Sequence, residues 1–180
     1  MQKRVILDSQ LLEITINRLC QQLIENHGDF TNSVLIGLQP RGVYLAEIIQ
    51  AKLEQQLDKE IPLGKLDITF HRDDFGRRDE PFTPSKTEIS FLVEGKSVIL
   101  IDDVLFTGRS IRAAMDAMTT FGRPEKVELL TLIDRKYTRD LPIEANYIGL
   151  QVNSMISQKV IVEWEGQEKV KENKVWLINN

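Results

Sequence analysis

The sequence predicts an α/β fold in which a doubly wound, mainly parallel sheet is flanked by helices. Short uncharged runs rich in leucine and β-branched residues, typical of strands buried on both faces, alternate with segments of helical hydrophobic period up to residue 133. Alternating strands and helices form βαβ units, which give parallel sheets. After residue 137 the pattern changes to short strand-like runs without intervening helical segments.

The first part of the chain contains two strand–helix units. Residues 5–7 predict a short strand, and apolar residues at helical spacing over 10–24 predict a helix that ends at His27. His27 is expected at the surface beside the helix C-terminus. Residues 34–37 predict a stronger strand, and residues 43–53 predict the helix that follows it.

The next units repeat this order. Residues 65–71 have the alternating character of a third strand, and residues 71–84 form a polar loop broken by Pro and Gly, long enough to be functional. A buried strand over 98–101, a helix over 111–118 and a buried strand over 126–133 follow. The last segment holds three strand-like runs, at residues 147–150, 159–164 and 175–178.

Length and composition suit one domain over residues 1–180. With 42% hydrophobic and 28% charged residues, the chain can bury a sizeable core. No apolar run approaches the roughly 20 residues that a membrane helix needs, and the N-terminus is not typical of a signal peptide. A net charge of −4 argues against a general nucleic-acid binder. The single cysteine, Cys20, cannot form an internal disulfide, which favours a cytoplasmic location.

The stretch over residues 98–110 carries the most specific functional signal. A buried strand leads into two carboxylates, Asp102 and Asp103, and then into Thr107-Gly108-Arg109-Ser110 at the start of a helix. Backbone N–H groups at a helix start bind phosphate well. Because carboxylates repel phosphate, the acidic pair should face sugar hydroxyls, a magnesium ion or a developing cation, and a sugar phosphate fits all three. A Walker A loop would need Gly at position 103 and Lys at 109, so that alternative fails.

Two further stretches are expected at the same edge of the sheet. Arg41 lies between a strand and a helix start, and its fork of donors suits pyrophosphate oxygens. Asp134 and Arg135 follow the buried strand over residues 126–133. Because ligands of doubly wound sheets bind at the carboxyl ends of the strands, these residues and the acidic pair should converge on one site.

Residues 98–110 resemble the phosphoribosyl-pyrophosphate (PRPP) signature of type I phosphoribosyltransferases, in which an apolar strand, two acids and a Thr-Gly loop follow one another. The resemblance implies Mg²⁺ as cofactor, near Asp102 and Asp103 through PRPP hydroxyls and water, and a catalytic role for these acids and Arg41. It implies a mobile flap over about residues 72–88 and a hood over about 137–180. Members of the family often have a non-proline cis peptide in the loop before Arg41; here the bond is Gln39-Pro40, for which the sequence leaves cis and trans open. The implied PRPP contacts are Arg41, Arg72, Asp102, Asp103, Val104, Leu105, Phe106, Thr107, Gly108, Arg109 and Ser110, with Arg77 and Arg78 as further flap candidates.

The identity of the base depends on Phe106. Purine transferases of this family carry an Asp at this position, where it handles the imidazole proton of the purine, so Phe106 favours a pyrimidine. Motifs along nearly the full length, among them Arg-Gly-Val-Tyr-Leu-Ala at 41–46, are similar to the subfamily of pyrimidine operon attenuation regulators that are also uracil phosphoribosyltransferases. The resemblance implies conversion of uracil and PRPP to UMP and pyrophosphate, with base contacts from Phe106, Arg135, Val160 and Ile161.

Two alternatives to uracil transfer follow from the same resemblance. One is a phosphoribosyltransferase for hypoxanthine or orotate. The other is an RNA-binding attenuator with vestigial catalysis, which would bind pyrimidine leader mRNA in response to UMP. The resemblance places that RNA surface on a homodimer or higher oligomer, where this chain offers Arg18 and Arg139 as basic contributors. It departs from the regulators at Asn17, Gln21, Glu144 and Leu150, where they carry Thr, His, Arg and Lys.

Overall fold

Strands and helices alternate along the chain as the hydrophobic pattern predicts. The computed structural model describes residues 2–73, 84–167 and 170–179. Residues 74–83, which include Arg77 and Arg78 of the predicted flap, lie outside the described residues. The elements are β1 (Gln2–Leu7), α1 (Ser9–His27), β2 (Ser33–Leu38), α2 (Gly42–Leu57), β3 (Leu63–Leu66), a 3₁₀ helix (Thr69–His71), β4 (Ser97–Leu105), α3 (Arg109–Met118), a second 3₁₀ helix (Thr119–Phe121), β5 (Lys126–Lys136), β6 (Tyr147–Asn153), β7 (Gln158–Glu163) and β8 (Lys174–Asn179).

A parallel sheet of the order β3-β2-β4-β5-β6 forms the centre of the fold. Each neighbouring pair in this sheet is parallel, which confirms the predicted doubly wound α/β class. β4 is the middle strand, so the strand that carries the acidic pair is hydrogen-bonded on both edges. No helix within the described ranges is long and apolar enough to cross a bilayer.

The sheet separates two hydrophobic cores. On one face Ile99 and Ile101 of β4 pack with α1 and α2, whereas on the other face Val98 and Leu100 pack with α3. All four side chains are fully buried. Burial of such a side chain contributes roughly 1.5–3 kcal/mol, so the uncharged run at 98–101 stabilises both layers and fixes the direction in which β4 points Asp102 and Asp103.

A three-stranded antiparallel sheet of the order β1-β8-β7 forms the hood beside the central sheet. Its membership differs from the predicted segment 137–180. β6 belongs to the central sheet, because its residues pair in parallel with β5 and bury Tyr147. β1 joins the hood through pairing with β8, a contact between the two ends of the described chain that local hydrophobic pattern does not encode.

The third predicted strand is wrong over most of its length. β3 covers Leu63–Leu66, and Thr69–His71 form a 3₁₀ helix where residues 65–71 were predicted to be extended. The Asp67 side chain explains the change. Its Oδ1 accepts hydrogen bonds from the backbone N (3.1 Å) and hydroxyl (2.6 Å) of Thr69. Such local bonds offer the backbone an alternative to the sheet ladder.

The expectation of a surface histidine at the end of α1 is also wrong. The His27 side chain is 6% exposed, and its Nε2 lies 2.9 Å from Glu128 Oε2. Its Nδ1 lies 2.9 Å from Ser33 Oγ, and Nε2 lies 3.0 Å from the Tyr147 hydroxyl. Burial lowers the pKa of His27, although the Glu128 carboxylate opposes that shift. The imidazole is therefore a neutral hydrogen-bonding centre between α1, β2, β5 and β6.

Replacing His27 with Gln should lower the melting temperature at pH 7 and flatten its dependence on pH below 7. Because the folded pKa lies below the unfolded value of 6.5, the neutral imidazole contributes stability above pH 6.5 that is lost as the pH falls through the folded pKa. Loss of its buried partners should cost about 1–3 kcal/mol at pH 7. Thermal melts of both proteins from pH 5 to 8 measure the effect, and parallel curves for the two proteins would contradict it.

Candidate active site

The acidic pair lies at the carboxyl end of β4, inside the strand rather than beyond it. β4 extends to Leu105, so the backbones of Asp102 and Val104 still pair with Thr131 and Ile133 of β5. Asp103 is 5% exposed, and its backbone N donates to Asp102 Oδ1 at 3.0 Å. The central strand of the sheet therefore holds both carboxylates rigidly.

Two adjoining cavities open beside the acidic pair. One, of about 250 Å³, lies against the loop at the start of α3. The other, of about 210 Å³, lies against the loop before α2. Their shared lining residues are Arg72, Asp102, Val104 and Ser110. The first is also lined by Leu105, Phe106, Thr107, Gly108, Arg109 and Ile111, and the second by Leu38, Gln39, Pro40, Arg41, Ile68, Thr69 and Asp103. One site with two compartments thus brings together Arg41, Arg72 and the stretch over 102–110, whereas Asp134 and Arg135 lie within β5 and line neither cavity.

The first cavity has the geometry of a phosphate cradle. Gly108 has a φ of 88°, and a Cβ atom there would lie 2.9 Å from Ile143 Cγ1, so both conformation and space require glycine. The backbone N of Leu141 donates to Thr107 O at 3.2 Å and fixes the loop from outside. α3 begins at Arg109, so its free backbone N–H groups and positive dipole end face the cavity.

Arginine side chains supply positive charge around both compartments. Arg41 Nε donates to Asp103 Oδ2 at 2.9 Å, and Arg41 Nη2 donates to the carbonyl of Val162 in β7. Arg72 Nη1 donates to Ser110 Oγ at 2.9 Å. Arg109 lies at the rim, where it pairs with Asp73 and Asp140. The Gln39–Pro40 peptide before Arg41 is cis.

The two carboxylates have raised pKa values. Burial, reinforced by the charge of Asp103, raises the pKa of Asp102 from 3.8 to about 8. Burial also raises the pKa of Asp103, against the pull of the Arg41 guanidinium. The ligand-free pair therefore retains a proton near neutral pH, and a cation brought into the cavity would favour its release.

The donor set fits Mg²⁺ bound together with a substrate. Carboxylate oxygens suit this ion, which usually takes one or two protein carboxylates and completes its shell with waters and phosphate oxygens. Among the described residues there is no group of three or more His, Cys, Asp or Glu side chains that could hold a metal. Asp102 and Asp103 are therefore the residues that would hold Mg²⁺ here, through substrate oxygens and water.

Phe106 lines the first cavity, and Arg135 stacks against its ring. The Arg135 guanidinium carbon lies 4.0 Å from the centroid of the Phe106 ring, and Arg135 Nε donates to Ser154 Oγ at 2.7 Å. The predicted base contacts Val160 and Ile161 lie in β7, and neither lines the two cavities. Val160 and Ile161 pair with Leu177 and Trp176 of β8, so they point to opposite faces of the hood sheet. Sequence reasoning missed Ser154 and Val162, because their contacts depend on how the hood meets the central sheet.

The two basic residues predicted for RNA have different surroundings. Arg139 is turned inward, where Nε donates to Ile143 O at 3.0 Å, Nη1 to the Phe106 carbonyl and Nη2 to the Asp134 carboxylate. Arg18 is exposed and donates to the Gly149 carbonyl of β6. Of the two, Arg18 has the position from which a phosphate could be reached.

Comparison with known proteins agrees with this geometry. The family described as "Phosphoribosyl transferase domain" matches residues 4–167. The chain belongs to the phosphoribosyltransferase family. This phosphoribosyltransferase is 40% identical over 168 residues to the "Bifunctional protein PyrR" of Haemophilus ducreyi, covering 93% of each chain. It is 41% identical over 174 residues to the protein of the same name from Desulfosudis oleivorans, covering 94% of this chain and 96% of the relative.

Solved structures show the same fold. A hypoxanthine-guanine phosphoribosyltransferase from Bacillus anthracis superimposes with a TM-score of 0.71 at 15% identity, covering 99% of this phosphoribosyltransferase and all (100%) of that chain. The enzyme from Leishmania tarentolae in complex with GMP gives a TM-score of 0.71 at 11% identity, covering 100% of this chain and 99% of that chain. At these identities the likeness shows the fold alone, so the choice of base depends on the residues of the site.

Proposed function

We propose that this phosphoribosyltransferase converts uracil and PRPP to UMP and pyrophosphate in the cytoplasm. The single observation that carries the choice of base is Phe106 on the wall of the first cavity. A purine that must give up an imidazole proton needs an acceptor at this position, and a phenyl ring offers none. The similarity to the relatives named "Bifunctional protein PyrR" supports this assignment, and the unpaired, buried Cys20 supports this compartment.

PRPP fits the two compartments by charge. The 5′-phosphate would occupy the cradle of Thr107–Ser110 at the start of α3, and the pyrophosphate would occupy the second cavity beside Arg41 and Arg72. Asp102 lines both cavities, so the ribose lies between them against the acidic pair. Arg41, now paired with Asp103, would have to turn towards the pyrophosphate or share its donors with it.

Positioning and charge stabilisation account for the reaction. The bond between C1 of the ribose and pyrophosphate breaks, C1 gains cationic character, and N1 of uracil bonds to C1 and loses its proton to solvent or to the leaving group. Asp102 and Asp103 hold the ribose hydroxyls and stabilise the cationic sugar, while Arg41 and Arg72 stabilise the departing charge. Mg²⁺, when bound, would neutralise pyrophosphate oxygens.

Initial rates with uracil, hypoxanthine and orotate, each with PRPP and Mg²⁺, test the assignment. We expect kcat/KM for uracil to exceed that for hypoxanthine by about 100-fold, because a site built for one hydrogen-bonding pattern rejects another strongly. Orotate carries an additional carboxylate, so its rate shows whether the wall at Phe106, on which Arg135 stacks, accepts an anionic base. Preference for hypoxanthine or orotate would contradict the assignment to uracil.

RNA regulation is the second candidate, favoured by the word "bifunctional" in the names of the relatives. Exposed Leu11 and Ile14 on α1 support a homodimer or higher oligomer, with Arg18 on the same helix. Titration with a pyrimidine leader RNA, with and without UMP at several salt concentrations, tests it. Because Arg139 is turned inward, a weak salt dependence is expected if RNA binds through Arg18 alone. Absence of specific binding would leave the transferase as the function.

A further inference from the structure

The side chain of Arg135 joins Phe106 to the turn between β6 and β7, by stacking on the ring and by hydrogen bonds to the turn; we call this arrangement the stack. The guanidinium of Arg135 covers one face of the Phe106 ring, with 4.0 Å from Cζ to the ring centroid. From there Arg135 Nε donates to Ser154 Oγ at 2.7 Å, and Nη2 donates to Met155 O at 2.9 Å. The same ring lines the cavity that holds the phosphate cradle. The turn at 154–155, which precedes β7, is therefore bound to the cavity wall through one side chain.

The backbone reinforces the stack. The Thr138 hydroxyl lies 3.2 Å from the Phe106 carbonyl and 2.9 Å from the Arg135 carbonyl, and Thr138 is buried. Met155 O accepts from Gln158 N at 3.0 Å as well as from Arg135, and Met155 N donates to Gln158 Oε1 at 2.8 Å. Hydrogen bonds thus fix the backbone at Phe106 and Arg135 and the backbone at Met155. The Phe106 ring itself is held by its contact with the guanidinium plane of Arg135.

Burial of the Arg135 guanidinium is unfavourable for folding, which suggests a role for this residue in the candidate site. Arg135 is 5% exposed, and burial lowers the pKa of its guanidinium. Its partners within the described residues are a hydroxyl, a carbonyl and a ring face, none of which carries a negative charge. Burying a cation without a carboxylate costs stability, and a well-packed apolar side chain would serve the fold better. Packing alone therefore does not explain an arginine at this position.

We infer that Arg135 is a positioning residue that sets the base subsite by holding Phe106 against the Ser154–Met155 turn. The inference rests on the proposed transfer to uracil and deepens it. Nε and Nη2 are already engaged, so these atoms act through the ring and the turn rather than as hydrogen-bond donors to the base. Ser154 fixes the rotation of the guanidinium and is a further specificity-determining residue. The stack thereby fixes the orientation of an aromatic ring that lines the first cavity.

Steady-state kinetics of Arg135→Lys and Ser154→Ala, with base and PRPP varied separately, test the inference. Lysine keeps the charge but cannot stack as a plane or donate in two directions, so the KM for uracil should rise about tenfold, while the KM for PRPP and kcat should change by less than about threefold. Ser154→Ala should shift the KM for uracil the same way by about threefold. Arg4→Lys, the same exchange on the exposed Arg4 of β1, should change none of the three constants.

The outcomes separate the inference from the proposed function. Equal rises in both KM values, or a fall in kcat alone, would show a merely structural role and overturn the inference. If Arg135→Lys does not fold, Ser154→Ala decides, and an unchanged KM for uracil overturns the inference. Turnover of another base by the unaltered protein would defeat the assignment to uracil. The same comparison of KM values with that base would then support or overturn the role of Arg135.

Discussion

Replacing Asp102 with Asn should stabilise the ligand-free protein while removing most of its activity. The pKa of Asp102 is raised from 3.8 to about 8, so the folded protein favours the protonated carboxyl. The stability that this protonated group contributes is complete below pH 3.8 and is lost as the pH rises through about 8. Asparagine carries no charge to desolvate. The variant should therefore gain most above pH 8, by about 2 kcal/mol or about 4–8 °C in Tm. Activity with PRPP should fall about 100- to 1000-fold, because the ribose loses a charged partner in the transition state.

Thermal melts from pH 4 to 9 and initial rates at saturating Mg²⁺ measure the two effects. Asp116→Asn is the matched control, because Asp116 is an exposed carboxylate on α3 that pairs only with Arg112 among the described residues. It should change neither Tm nor rate by much, since exposed ion pairs contribute little. In the presence of PRPP and Mg²⁺ the order of stability should reverse, because the unaltered protein binds the ligand better. A variant that is less stable than the parent at pH 8 would contradict the reasoning.

Sequence reasoning located the edge of the sheet that carries the candidate site, because local hydrophobic pattern determines it. The uncharged run at 98–101 must be buried on both faces, and a strand buried in this way delivers Asp102 and Asp103 to the carboxyl edge of the sheet. Arg41 directly precedes α2, and Thr107-Gly108 directly precede α3; hydrophobic period predicts both helices. The fold class and the position of the acidic pair at the carboxyl edge therefore follow from short-range features, whereas the place of Arg72 in the site was implied by the family resemblance.

The errors have a common cause in contacts between distant parts of the chain. His27 is buried because Glu128 and Tyr147, about a hundred residues later, lie beside it. β1 leaves the central sheet for the hood because its partner β8 lies at the other end of the described chain. The hydrogen bond from Arg41 to the Val162 carbonyl was likewise not predicted, because it joins residues about 120 positions apart. Hydrophobic period reports which face of an element is buried, but not which distant element covers it.

Replacing Gly42 with Ala should destabilise the protein and weaken PRPP binding together. Gly42 is the first residue of α2, and a Cβ atom there would lie 2.4 Å from Ile101 O and 3.0 Å from Asp102 Cα. Both contacts are with the backbone of the central strand, which cannot yield as a side chain can. α2 would have to move away from β4, and Arg41 would move with it from Asp103. We expect a loss of about 2–4 kcal/mol in the free energy of unfolding, as for other overpacked or strained buried sites.

The sign of this effect distinguishes steric contact from helix propensity. Alanine is favoured over glycine in helices by about 1 kcal/mol, so without the close approach the exchange at Gly42 would stabilise α2. Gly64→Ala is the control, because its Cβ atom would meet the side chains of Ile89 (2.9 Å) and Phe91 (3.2 Å), which can adjust. Denaturant unfolding and PRPP titration of both variants give the comparison. If the Gly42 variant were as stable as the Gly64 variant, α2 could not be packed this closely on the acidic strand. The pairing of Arg41 with Asp103 would then lose its structural basis.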